Sequence, residues 1–469
     1  MSSQPDSPVS TYGYKRDLGL LEAVSIVVGR IIGSGIFRTP GPIMALVGST
    51  GLFGLVWVIG GVVTIFAAVC YAELVAMIPK TGGPYVYIKE AYGEMWAFLR
   101  GWAMFFVSET AAIAAVALVF AEYLSALLSV TTGYSLTKPG VILFALGAIW
   151  ALTAINMFGV FLSGLFQNLF SSMKIVAILA IILVCFGAGG LGTGGSFSHF
   201  TEPLWPETFS WHTVLAVGAA LRYSFFAFSG WEGATYVAEE VKNPEKNLPL
   251  SLLLGIGGVM LLYAGANSAY IFQLSPAEIA RAPWVAADAM GMAVGGVGTA
   301  FISGAIILNT FGNVSTQILC KARSWQAMAR DRNFFDVMAK LHPVFRTPNR
   351  ALVLQAAWAS VLLFAAGFAT NSYEMIIDFF SANGAIFNIM TLGAVIILRK
   401  KYPDMKRPYK AWFYPWSVFI VIGLYAAFLI ITLITAPLQS AAGLFLTSTG
   451  LIYYFFKKRK IREEGSGIF

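Results

Sequence analysis

The sequence predicts an all-α polytopic membrane protein with about twelve transmembrane helices, and three observations predict this fold class. First, 58% of the 469 residues are hydrophobic and only 12% are charged, against about 25% charged residues in a typical soluble domain. Second, apolar stretches of roughly 20 residues, each long enough to cross a bilayer as a helix, recur along most of the chain. Third, the alternating pattern of an outer-membrane β-barrel is absent, so helices are the structure that can satisfy the backbone in lipid. A soluble enzyme, a disordered chain and a fibrous protein are excluded.

Apolar runs define the expected spans, and lysine and arginine define their orientation. Most of the 31 lysines and arginines lie in the two tails and in every second loop, whereas Lys138 and Arg281 lie in the other loops. Because basic residues are retained on the cytoplasmic side, we expect both termini in the cytoplasm and the chain in the plasma membrane. The net charge of +8 has the same origin. In chain order the expected spans are 18–48, 52–79, 96–128, 138–157, 160–189, 213–240, 248–272, 292–328, 350–369, 374–399, 412–435 and 439–456.

Ionisable residues inside the spans mark candidate functional positions, because each is costly in lipid unless it is paired or faces water. For two of the basic residues, Arg38 and Arg222, snorkelling to an interface is the alternative to a buried position. The basic residues at membrane depth are Arg30, Arg38, Lys174 and Arg222. The acids are Glu109 and Glu232, with Glu22, Glu73 and Glu122 nearer the ends of their spans.

Two spans carry glycine clusters that predict an interrupted helix near the middle of the membrane. Span one contains Gly33, Ser34 and Gly35, and each glycine lowers helix propensity by about 1 kcal/mol. Span six contains a counterpart, 229–233. A break in span one would free N–H groups that can bind a carboxylate, and a break in span six would expose carbonyl oxygens that can accept from an ammonium group. Interrupted helices one and six are typical of inverted-repeat transporters, whereas close helix packing is the alternative role for such glycines.

Several short motifs occur in a fixed order along most of the chain. They are Ile32–Phe37, Ala72–Leu74, Pro79–Gly83, Ile155-Asn156, Gln167-Asn168, Ser229–Trp231, Asn243-Pro244, His342-Pro343 and Arg407-Pro408. With these motifs the chain resembles the amino acid–polyamine–organocation superfamily and, within it, the L-type amino acid transporter family of the bacterial stand-alone type. Any one motif is weak evidence for the resemblance, but the whole set in this order is specific for the family.

The resemblance implies a LeuT-like fold, in which helices 1–5 and 6–10 form inverted repeats and helices one and six are unwound at mid-membrane. It also implies sodium-independent transport of L-amino acids by alternating access, with exchange expected. A proton-coupled symporter that also accepts cationic amino acids is the alternative. The implied organisation is a cytoplasmic tail (1–17), the first repeat (18–189), an extracellular loop (190–212), the second repeat (213–399), two peripheral helices with the cytoplasmic loop before them (400–456), and a basic cytoplasmic tail (457–469).

The resemblance also assigns roles to individual residues. The substrate carboxylate is expected on the backbone amides of Gly33, Ser34 and Gly35. The substrate amino group is expected on carbonyl oxygens of Phe226, Ala227 and Ser229. Phe226 gates the site from outside, and Trp231 is expected to take part in gating. Lys174 fills the place that sodium occupies in ion-driven relatives and bridges helix one to helix eight.

Glu232 departs from many carriers of neutral amino acids, which have asparagine at that position, and Glu109 is also unusual. Two interpretations remain open. One of these acids selects a cationic substrate side chain, or both pair internally with Arg30 or Arg38. Internal pairing is favoured, because buried ionisable groups without partners are the costlier arrangement.

Neither a cofactor nor a metal is expected, and the chain is not expected to be an enzyme. The H-E-x-x-H, G-x-S-x-G and Walker A motifs are absent. Cys70, Cys185 and Cys320 all lie inside spans, and the loop 130–138 contains no cysteine. In the animal members of the family a cysteine in that loop links a glycoprotein partner. The expected partners are therefore a small L-amino acid and the lipid bilayer, without nucleic acid or a disulfide-linked heavy subunit.

Overall fold

The computed structural model describes residues 16, 18–80, 82–158, 161–189, 195–330, 332–345 and 347–466, without the side chains of 161–172, 189 and 460–466. The predicted tail 1–17, apart from Arg16, lies outside the described residues. The same holds for 467–469 of the basic tail and for 190–194 of the predicted extracellular loop.

Helices make up almost all of the regular structure. Between them lie a π-helix (Met104–Ser108) and 3-10 helices at Phe197–Phe200, Trp231–Glu240 and Asp336–Ala339. The α-helices are α1 Leu20–Ile31, α2 Gly35–Arg38, α3 Pro40–Val47, α4 Thr50–Met77, α5 Pro84–Tyr92, α6 Glu94–Ala103, α7 Glu109–Thr132, α8 Lys138–Met157, α9 Phe161–Gly189, α10 Trp211–Ala227, α11 Pro244–Gln273, α12 Pro276–Arg281, α13 Val285–Val294, α14 Gly296–Arg330, α15 Asn349–Gly367, α16 Ser372–Lys401, α17 Trp416–Thr435 and α18 Pro437–Ser466.

The fold class predicted from composition is confirmed. Within the described residues, 10 helical stretches are long and apolar enough to cross a membrane, and some of them combine consecutive helices. The described residues contain one isolated parallel β-bridge, between Leu18 and Val241, and no strand. Two further helices, α9 and α18, contain 29 and 30 residues. The chain is therefore an all-helical, multi-pass membrane protein.

Two long helices organise the interior. Helix α14 packs against α7, α9 and α13, and α11 packs against α1, α4 and α9. Close approach depends on small residues: a side chain at Gly255 of α11 would overlap Val27 of α1. Trp325 on α14 and Tyr263 on α11 are fully buried in the resulting core. The interrupted first and sixth spans lie against this frame.

Candidate functional site

The first span is interrupted where the sequence predicts it. Helix α1 ends at Ile31, Ile32 is extended with ψ 95°, and α2 begins at Gly35. Among the described residues, no acceptor receives a hydrogen bond from the amide N–H groups of Gly33, Ser34 or Gly35. These are the unpaired N-terminal donors of a helix, a type of group that can bind an anion.

The sixth span is interrupted at the same place in the fold. Helix α10 ends at Ala227, and Gly230 takes a φ of 90°, a left-handed conformation that favours glycine, before the 3-10 helix Trp231–Glu240 begins. A Cβ atom on Gly35 would lie 2.5 Å from Cα of Ala227. The two breaks therefore touch, backbone against backbone, at Gly35 and Ala227.

One hydroxyl group joins both interrupted helices. Tyr263 Oη lies 3.2 Å from the Ile31 carbonyl oxygen, at the end of α1, and 3.1 Å from the Ala227 carbonyl oxygen, at the end of α10. A tyrosine hydroxyl has a single proton, so the two carbonyl oxygens share one donor. The ring is fixed by an edge-on contact with Trp57, at 5.7 Å between ring centroids.

The carbonyl oxygens named by the resemblance have partners of their own. The Phe226 carbonyl accepts from the Ser229 amide at 3.0 Å, and the Ala227 carbonyl accepts from Tyr263. The structure thus brings Gly35 and Ala227 together, with the other predicted backbone positions adjoining them in the same two breaks. Each carbonyl oxygen has two lone pairs and can accept a second hydrogen bond.

Aromatic side chains cover one side of the breaks. Phe226 is 9% exposed and contacts the rings of Tyr373 and Phe380, at 5.9 and 5.8 Å between centroids. Both partners belong to α16. On the 3-10 helix, Trp231 packs edge-on against Tyr71 at 4.6 Å, which fixes the first residue of that helix.

Ion pairs of Arg38 and Arg222 hold α16 against the helices on which these arginines lie, next to Phe226. Arg38 lies 3.0 Å from Glu122 and 3.2 Å from Glu374, and its guanidinium also lies over the ring of Tyr373. Arg222 lies 2.7 Å from Asp378 and also donates to Thr435. Both arginines are largely buried, at 12% and 4% side-chain exposure. The snorkelling alternative for Arg38 and Arg222 is therefore wrong.

A second group of ionisable residues lies beside the other half of the breaks. Glu109, the residue after the π-helix, pairs with Lys321 of α14 at 2.8 Å. The cations of Lys321 and Arg30 both lie over the Tyr236 ring, at 5.0 and 5.2 Å from its centroid. π-Helical turns are common at functional sites, and this one directly precedes Glu109.

The expected pairing of Glu109 and Glu232 with Arg30 or Arg38 is not found among the described residues, because Glu109 pairs with Lys321 and Arg38 pairs with Glu122 and Glu374. Within the described residues Glu232 forms no ion pair shorter than 4.0 Å, and neither does Arg30. Lys321 is a further buried basic residue, which the basic residues expected at membrane depth did not include. It is 3% exposed and lies inside α14.

Lys174 reaches the end of helix α1. Its ammonium donates to the Gly29 carbonyl oxygen at 2.8 Å, and the side chain is 5% exposed. The last carbonyl groups of a helix carry partial negative charge, so the ammonium stabilises this end of α1. The predicted contact with helix one is present.

The described residues contain no group of three or more His, Cys, Asp or Glu side chains that could hold a metal. The functional residues that the sequence did not single out are Tyr263, Glu374, Asp378, Lys321 and Asn313. For Glu374 and Asp378 a signal existed, because they are acids inside or at the edge of an apolar run.

Comparison with known proteins identifies the family. The family model described as "Amino acid permease" matches residues 18–456, nearly the whole chain. The chain belongs to this family. The resemblance to the amino acid–polyamine–organocation superfamily and its L-type branch is therefore confirmed, and the chain is a multi-pass membrane protein of a family of amino acid transporters.

Individual relatives align with nearly the whole of this chain. The serine/threonine exchanger SteT of Bacillus subtilis is 33% identical over 456 residues, covering 96% of this chain and 98% of the relative. The mouse large neutral amino acids transporter small subunit 2 is 32% identical and covers 97% and 84% of the two chains. The mouse b(0,+)-type amino acid transporter 1 is 29% identical and covers 97% and 90%.

Proposed function

We propose that this permease carries L-amino acids across the plasma membrane by alternating access, as a sodium-independent exchanger. The observation that carries the proposal is the junction of the two breaks, where Gly35, one of three consecutive residues with unpaired amides, packs against Ala227 at the end of α10. A zwitterion presents a carboxylate and an ammonium group only a few bonds apart. The amides suit the first group and the carbonyls of Phe226, Ala227 and Ser229 suit the second.

Gating follows from the side chains above and below this junction. Phe226 covers the substrate, and α16 is held over it by Arg38 and Arg222 through their acidic partners. Opening on that side requires the ion pairs to separate, while Trp231 and the 3-10 helix remain in place. Alternating access then consists of exposing one side of the breaks at a time.

Sodium independence is supported by Lys174. A sodium ion in a transporter of this architecture is held by carbonyl oxygens at the interrupted helix. Here a side-chain ammonium already donates to such an oxygen, at Gly29. The positive charge is part of the protein and needs no ion from solution. Its burial also supports a role in the transport cycle rather than at the surface.

The architecture we propose has twelve spans. The ten described stretches are joined by α9 and α18, and helices one to five and six to ten form inverted repeats (18–189 and 213–399) around the two breaks. Both termini face the cytoplasm, because lysine and arginine are concentrated in the tails and alternate loops. No disulfide-linked subunit is required, since the loop 130–138 offers no cysteine.

Counterflow in proteoliposomes tests this function directly. Vesicles loaded with unlabelled amino acid should take up labelled amino acid at the same rate in sodium and in choline buffer. Uptake that occurs only with a sodium gradient would contradict the proposal. Uptake into empty vesicles driven by a pH gradient would instead establish proton-coupled symport.

A second candidate property concerns cationic substrates. Glu232 forms no ion pair among the described residues, so its carboxylate can receive a substrate ammonium or guanidinium group. Lysine and arginine therefore belong in the counterflow panel. A Glu232→Gln variant that loses their transport and keeps that of neutral amino acids would establish this selectivity, whereas equal loss for both classes would refute it.

A further inference from the structure

One buried amide in the core has no hydrogen-bond partner at all. Asn309 on α14 is 0% exposed, and neither its Nδ2 nor its Oδ1 forms a hydrogen bond within the described part of the chain. Other buried amides there are different. Asn156 donates to Leu152, Asn267 donates to Tyr263, and Asn383 accepts from Thr447. Asn309 is the only amide side chain among the described residues with both buried atoms unpaired.

Asn309 lies beside the interrupted first span. It precedes Asn313 by four residues, so the two side chains share a face of α14, about 6 Å apart along the helix. The Nδ2 atom of Asn313 lies 2.8 Å from the point that a Cβ on Gly33 would occupy. Asn313 itself is paired, since its Oδ1 accepts from Gln317 at 2.6 Å.

Contacts on helix α7 place this turn of α14 beside α2. Phe311, two residues after Asn309, contacts Phe120 of α7 at 5.7 Å between ring centroids. One turn further along α7, Tyr123 donates to the Phe37 carbonyl oxygen of α2 at 2.7 Å. The unpaired amide is therefore at the depth of the two breaks, one turn of α14 from the side chain that contacts Gly33.

A buried amide without partners costs free energy that a ligand can recover. Asn309 offers two N–H donors and one carbonyl acceptor. A substrate hydroxyl can accept from the first and donate to the second, whereas an aliphatic side chain leaves both unpaired. A site that hydrogen-bonds a substrate group strongly rejects an analogue without that group. This discrimination is much larger than the discrimination by size in an apolar pocket.

We propose that Asn309 forms the side-chain subsite of this permease and selects amino acids with a hydroxyl side chain over aliphatic amino acids of the same shape. The inference rests on the proposed function, because it assumes a zwitterion at the two breaks. Serine against alanine and threonine against valine are the informative pairs. Each pair differs in the presence of the hydroxyl group and changes side-chain volume little.

The first test uses the wild-type protein. In counterflow, kcat/KM for threonine should exceed that for valine by at least about tenfold. Equal transport of the two would overturn the inference while leaving the proposed function intact. Absence of transport for every amino acid would instead contradict the proposed function itself.

The second test is Asn309→Leu, which removes the polar atoms and keeps the branched shape. We expect the threonine-to-valine ratio to fall to near one, mainly through lower threonine transport. Asn383→Leu, on α16, is the control and should keep the wild-type ratio, since Asn383 is buried and its Oδ1 already accepts from Thr447. Asn309→Ser retains one hydroxyl and should give an intermediate ratio.

A buried water molecule is the other way to satisfy Asn309, and it leads to a different result. In that case Asn309→Leu would lower or preserve threonine and valine transport equally, and the ratio would not change. That result would overturn the inference. Size-exclusion profiles of each variant show whether the protein is folded. If Asn309→Leu does not fold, the threonine-to-valine ratios of Asn309→Ser and of the wild-type protein still test the inference.

Discussion

Removal of the Tyr263 hydroxyl tests whether one side chain holds the two breaks together. Tyr263→Phe keeps the ring and its contact with Trp57 but leaves the Ile31 and Ala227 carbonyl oxygens without their shared donor. Leaving a buried acceptor unsatisfied costs about 1–3 kcal/mol. If that cost falls on the substrate-bound state, apparent affinity decreases by between about 5- and 150-fold.

The assay is counterflow over a range of substrate concentrations, together with thermal unfolding of the purified protein. We expect a raised KM and a lower melting temperature for Tyr263→Phe. The Ala227 carbonyl is among the proposed ligands of the substrate ammonium, so its position should affect binding. A stability loss with unchanged KM would mean that the hydroxyl supports the fold without positioning the site.

Tyr270→Phe is the matched control. Tyr270 lies two turns further along α11, is equally buried, and its hydroxyl forms no hydrogen bond among the described residues. Removing that hydroxyl should therefore cost nothing. If Tyr263→Phe and Tyr270→Phe behave alike in both assays, the reasoning about the shared donor is refuted.

Three further substitutions test other contacts of the site. Gly35→Ala places a methyl group against Ala227, so we expect kcat/KM in counterflow to fall at least tenfold at normal surface abundance. Lys174→Ala removes the charged donor at the end of α1, worth about 1.5–3 kcal/mol, so turnover should fall roughly tenfold or more with expression retained. Asp378→Asn leaves Arg222 buried without its counter-charge, so thermal unfolding should show a loss of about 3–5 kcal/mol.

Each of these has a clear contrary result. Wild-type kcat/KM for Gly35→Ala would mean that the breaks do not touch as described. Normal flux for Lys174→Ala would remove the lysine from the transport cycle. For Asp378→Asn, the double variant with Arg222→Met should recover stability, because an apolar pair replaces a lone buried charge. A double variant no more stable than the single one would contradict that explanation.

Local chemistry explains why the interruptions could be predicted from the sequence. Glycine and serine at 33–35 and 229–233 weaken the helix wherever it is placed, so their effect does not depend on distant packing. Burial of Lys174 followed equally from an ionisable group within an apolar run. The spacing of the two clusters then indicated the site between them.

The ion-pair partners of the buried charged residues could not be predicted, because they depend on which helix faces pack together. Arg38 pairs with Glu122 and Glu374, which come from two separate helices far along the chain. Lys321 lies near the end of the predicted eighth span, close to other basic residues, and the sequence alone could not show that it is buried against Glu109 of another helix. Tyr263 is a single tyrosine in an apolar span and carries no local signal of its contacts.

The isolated β-bridge has a mechanical consequence for the permease. The Leu18 amide donates to the Glu240 carbonyl oxygen at 3.0 Å, and the Lys242 amide donates to the Leu18 carbonyl oxygen at 2.8 Å. At the opposite end of α1, Arg30 lies directly against Gly230 and Gly233 of the sixth span. The N-terminal half of span one and the C-terminal half of span six therefore contact each other at both of their ends. A displacement of either half must displace the other, so the two half-helices move together as a rigid body.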